Sequence, residues 1–147
     1  MLKPINLFFI IAIVASRFLP HPPNFTPILA IFMLSGGPSL VPLLLTYMIT
    51  DAVIGFHSYM IWVYSSLFLI SYLKQGPIIS SLLFFLLTNF AVWLSGFYGL
   101  NLSGLITTYI MAIPFFVNTL LSTLIFYHLG RYYLQSKNID THFALQR

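Results

Sequence analysis

The sequence predicts an all-α membrane protein: one six-helix transmembrane bundle over residues 1–134, with a short second helix and a polar tail over 135–147. Two observations predict it. Of the 147 residues, 59% are hydrophobic, 18% aromatic and only 5% charged, whereas a soluble domain carries about 25% charged residues. So little charge cannot cover the surface of a water-soluble fold of this size. The second observation is that the apolar residues fall into six runs divided by strong breakers. The net charge of +4 comes from six Lys/Arg against two acidic residues. In such a chain it speaks of membrane topology rather than nucleic-acid binding. There is no cysteine, which excludes disulfides, thiolate metal sites and cysteine nucleophiles.

The first run, Ile5–Leu19, follows Lys3 and Pro4. A cleaved signal peptide would share these features, but Ile13 stands where cleavage before Ser16 needs a small residue. The second run begins near Thr26-Pro27 and stops at Ser35-Gly36-Gly37-Pro38. It is too short to cross hydrocarbon, which takes roughly 20 residues. The third, Ser39–His57, tolerates Pro42 in its first turn. The fourth, Tyr59–Leu73, ends at Lys74-Gln75-Gly76-Pro77, and the fifth, Ile78–Leu94, ends at the glycine-rich SGFYGLNLSG stretch. The sixth, Leu105–Leu134, contains Pro114, a predicted kink.

Six crossings put both termini on one side of the membrane. With the termini cytoplasmic, the inner segments hold Lys3, Lys74, Arg131, Lys137 and Arg147, and the outer segments hold only Arg17. The positive-inside rule therefore predicts a multi-pass protein of the cell inner membrane with cytoplasmic ends. The loop RFLPHPPNFTPI, the Asp51–His57 region and SGFYGLNLSG then share the outer face.

Chemistry-bearing residues collect on that face. Asp51 is the only acid before the tail. On a helix reaching His57 it would lie about 9 Å deep, where an unpaired charge is costly. Arg17 is the expected partner, either as a pin between helices or as part of a pocket. Pro20, Pro22, Pro23 and Pro27 stiffen the loop that carries His21 and Asn24, which suits a ligand lid or a stiff connector. His21, His57 and Asp51 are metal-ligand types without a metal-site spacing, so neither a metal nor any other cofactor is expected. Asn89 and Trp93 are four apart and share a helix face. Trp93 also suits an interfacial aromatic belt. Asn118 and Thr119 follow Pro114 and could satisfy freed backbone or a neighbouring helix. Phe25, Trp93, Phe97 and Tyr98 would supply apolar pocket walls. Scattered histidines and a single intramembrane acid give no catalytic pair, so no enzymatic activity is expected. No G-x-x-x-x-G-K-[ST] stretch is present, so any pumping draws on partner subunits.

At RFLPHPPNFTPILA, SGGP, DAVIGFHSY, NFAVW and AIPFFVNT, across about residues 17–119, the chain resembles an uncharacterised family of small bacterial membrane proteins to which a transport role is attributed. These in turn resemble the substrate-binding S components of energy-coupling factor (ECF) transporters. The resemblance implies an S-component-like bundle binding a vitamin-like small molecule or a metal ion in an outward pocket capped by the loop between the first two helices. It also implies a transmembrane coupling subunit and two ATPase subunits as partners, besides the lipid bilayer. Carried over, Arg17, His21, Asn24, Asp51, His57, Asn89 and Trp93 line or lid that pocket. The alanine motif with which S components touch their partner is reduced here to Ala12 and Ser16. The rival expectation is a structural or scaffold membrane protein whose polar cluster only locks the bundle.

Overall fold

A computed structural model describes residues 4–136, with side chains from Leu7 onward; Lys3, Lys137, Arg147 and the tail beyond Ser136 lie outside the described residues. Within them the fold is all-helical: α1 (Pro4–Phe18), α2 (Ile28–Leu34), a 3₁₀ turn (Gly37–Ser39), α3 (Leu40–Ile54), α4 (Met60–Leu73), α5 (Pro77–Leu94) and α6 (Leu102–Ser136). Three segments are long and apolar enough to cross a membrane: Gly37–Ile54, Pro77–Leu94 and Leu102–Ser136. Exposed apolar side chains such as Ile11, Val53, Ile61, Ile78, Ile110 and Leu129 ring the helices, a surface that suits hydrocarbon better than water.

The breakers act as their chemistry dictates. Pro20 ends α1, because the residue before a proline is driven out of helical conformation. Ser35 and Gly36 are extended after α2. Gly55, at φ 123°, stops α3, three residues short of the expected His57. Lys74 closes α4 in the left-handed region at φ 52°, and Pro77 opens α5 at a position where its missing N–H costs nothing. Asn101 caps α6, its Oδ1 accepting the Gly104 N–H at 2.8 Å. The last helix starts three residues earlier than expected for that reason. It then runs unbroken through Pro114 for 35 residues, about 52 Å at 1.5 Å per residue.

The short second helix sets the architecture. All seven residues of α2 are buried, and α6, α4, α5 and α1 pack around it. Gly130 lets α6 come close, since a Cβ there would stand 2.4 Å from Leu34 Cδ1. The C-terminal end of α2 therefore meets the C-terminal part of α6. Elsewhere α3 packs on α1, and α4, α5 and α6 follow one another around the bundle. Buried hydroxyls between the helices mostly donate to their own helix, as Thr108 does to Gly104 O (2.8 Å) and Thr123 to Thr119 O (2.6 Å). Small side chains so satisfied let helices approach closely.

Candidate functional site

α2 spans only about 10 Å, and the bundle keeps a hollow beyond its first turn. Two adjoining cavities occupy that hollow, of about 330 Å³ and about 130 Å³. Arg17, Asn24, Tyr47, Phe84 and Thr119 line both. The floor of the smaller is Ile28 and Leu29, the first turn of α2. The larger is walled by Phe84 and Phe85 of α5 and by Phe115 and Phe116 of α6, and Thr88 and Asn89 also line it.

Asp51 anchors one side. It is 2% exposed, in the last turn of α3 rather than deeper, because Gly55 ends the helix early. Arg17 Nη2 donates to its Oδ1, and the Tyr64 hydroxyl of α4 donates to its Oδ2 at 2.7 Å. The guanidinium lies over the Tyr47 ring, 5.1 Å from the centroid, a cation–π arrangement, and the Tyr47 and Tyr64 rings meet edge to face at 5.8 Å. The expected Arg17–Asp51 pair is thus present, and it ties α1, α3 and α4 together. The Arg17 side chain remains 22% exposed against 3% for Asp51, so the pair presents its cationic member to the cavity.

The loop 19–27 closes the same end. Phe25 N–H donates to Pro22 O at 3.0 Å, and Asn24 takes a left-handed φ of 59°, which Asn tolerates better than most residues. Asn118 Nδ2 donates to Pro23 O at 3.0 Å, fastening the loop to α6. His21 lines the smaller cavity and its Nδ1–H donates to Pro22 O at 2.8 Å. His57 lines the larger, with Nδ1 accepting the Tyr59 N–H at 3.3 Å.

Six of the seven residues singled out from sequence therefore gather here: Arg17, His21, Asn24, His57 and Asn89 line the cavities, and Asp51 stands behind Arg17. Trp93 lies outside the linings, its indole N–H donating to Asn101 O at 3.3 Å. The expected walls also differ. Phe97 and Tyr98 are exposed on the α5–α6 connection and Phe25 turns to Phe126, ring centroids 6.0 Å apart. Helix-borne phenylalanines take their place, because the hollow lies inside the bundle rather than among its loops. No group of three or more metal-ligand residues forms among the described residues.

Tyr47, Tyr64, Thr88 and Thr119 were not foreseen as site residues. Tyr47 carried a signal, being four residues before Asp51 and so on its helix face. Tyr64 carried none, since it reaches Asp51 only through the packing of α4 on α3.

Such an arrangement can hold a small molecule against aromatic walls with a few fixed polar groups. The chain belongs to a family of unknown function (DUF6580), whose family model matches residues 3–138. Neither a curated protein nor a solved structure matches the chain.

Proposed function

We propose that this chain is a membrane-embedded six-helix bundle of the S-component kind, which captures a vitamin-like small molecule from the outer side of the bacterial inner membrane. Its termini are cytoplasmic, and it hands its cargo on with a transmembrane coupling subunit and ATPase subunits. The single observation that carries the reading is the hollow above α2, about 330 Å³ in its larger part, within the range of ligand pockets. A proline-stiffened loop covers it, and six sequence-singled polar residues converge on it. The count of basic residues supports an outward position for that end.

The test is mass spectrometry of small molecules retained by the gently solubilised protein. The parent retains one species, and His21→Ala and Asn89→Leu variants release it while staying folded. A parent that retains nothing sinks the reading.

One observation favours the structural alternative: both oxygens of Asp51 are already engaged by Arg17 and Tyr64. On that reading the cluster is a lock between three helices and the hollow is incidental. Variants that weaken stability without altering retention would decide for it.

A further inference from the structure

The donors and acceptors around the larger cavity are unequally distributed, and the distribution defines a ligand chemistry. On one side stand Arg17 and Tyr47. Only Nη2 of the guanidinium meets Asp51, Nε is buried without a partner, the side chain as a whole stays 22% exposed, and the Tyr47 hydroxyl makes no hydrogen bond among the described residues. This side offers N–H and O–H donors. On the other side Thr88 donates to Phe84 O (2.7 Å), Thr119 to Phe115 O (3.0 Å) and Asn89 Nδ2 to Phe85 O (2.8 Å). Each has spent a donor on its own helix, and the oxygens Oγ1, Oγ1 and Oδ1 remain as acceptors, with one N–H of Asn89 left beside them. The same two helices, α5 and α6, also bring phenylalanine rings to the wall, Phe85 and Phe116 with centroids 4.7 Å apart.

The charge is also arranged. Arg17 faces the cavity with Asp51 hidden behind it, so the pair sums to zero. A ligand cation would meet Arg17 first and be repelled. A ligand carboxylate would bring a second anion to a guanidinium that already has one, inside aromatic walls that screen poorly. A neutral carbonyl oxygen accepts from Arg17 without either penalty, and ring N–H groups answer the acceptors opposite.

We infer that the cavity takes a neutral, flat ring molecule in which a carbonyl acceptor stands beside ring N–H donors, a cyclic amide or ureide, in preference to an aromatic acid or cation of the same size. This inference rests on the small-molecule reading above and narrows it to a class. The geometry behind it is the juxtaposition, in one cavity, of the Arg17–Tyr47 donors from α1 and α3 with the Thr88–Asn89–Thr119 acceptors from α5 and α6, beside phenylalanine walls.

Calorimetric titration of the purified full-length chain in detergent tests it. The probes are pteridine-2,4-dione, its 1,3-dimethyl derivative, quinoline-2-carboxylate and N-methylquinolinium. Pteridine-2,4-dione should bind at least about tenfold more tightly than the other three, the dimethyl derivative losing its advantage because its ring N–H groups are gone. In the Asn89→Leu variant, which keeps the Arg17–Asp51 pair, the preference for the parent dione over its dimethyl derivative should shrink several-fold. If the acid or the cation binds as tightly as the dione, the ligand class is overturned while the pocket reading stands. If no probe binds, the class is overturned as well, and the pocket reading falls only if the purified protein also retains no small molecule.

Discussion

Asp51 has both carboxylate oxygens engaged while 2% exposed, so each partner can be removed to a different effect. Asp51→Leu strands a partly buried guanidinium and should lower stability by about 3 kcal/mol, the usual cost of breaking such a pair. Replacing Arg17 by Met in the same chain should recover most of the loss, because two apolar groups leave no orphan charge. Tyr64→Phe removes one charge-assisted hydrogen bond and should cost about 1.5 kcal/mol. Thermal unfolding of the parent and the three variants in one detergent checks both, and a double variant no better than Asp51→Leu alone would refute the pairing argument. Asn118 gives a second residue-scale expectation. Asn118→Leu removes the bond to Pro23 O, so amide hydrogen exchange at Asn24 and Phe25 should quicken while that of α6 is unchanged. Equal exchange in parent and variant would mean that the loop is held by its prolines alone.

Among the elements, helix ends and close approaches respond to glycine in different ways. A Cβ at Gly104, in the first turn of α6, would lie 2.0 Å from Gly99 O, a backbone atom of the α5–α6 connection. At Gly130 the obstacle is the mobile end of Leu34. Gly104→Ala should therefore destabilise by about 1–3 kcal/mol, and more than Gly130→Ala, as circular dichroism melts would register. At this scale the sequence was most informative. Pro20, Gly55, Lys74-Gln75-Gly76-Pro77 and SGFYG broke the helices within a few residues of the expected places, because proline and glycine act locally. The site was half legible. Arg17 and Asp51 could be paired in advance because a charge in an apolar chain must find its opposite. Phe84, Phe85, Phe115 and Phe116 could not be chosen from 15 phenylalanines, because which face of α5 and α6 turns inward depends on the packing of α2.

For the whole molecule, orientation is the property with the widest consequences. In a chain without cysteine, single cysteines at Asn24 and Gly76 should label with impermeant maleimide from opposite sides, Asn24 from outside. Labelling of both from one face would overturn the orientation and with it the outward pocket. The buried position of α2 carries a consequence for biogenesis. Seven residues offer too little oil to leave the insertion machinery for lipid unaided. Its chief neighbour, α6, is synthesised some seventy residues later. The nascent chain must therefore carry an unsettled segment between α1 and α3 until α6 has joined the bundle. The arrival of α6, rather than the emergence of α2 itself, becomes the moment at which the hollow above it takes shape. A chain truncated before Gly130 would lack the seat that positions its second helix.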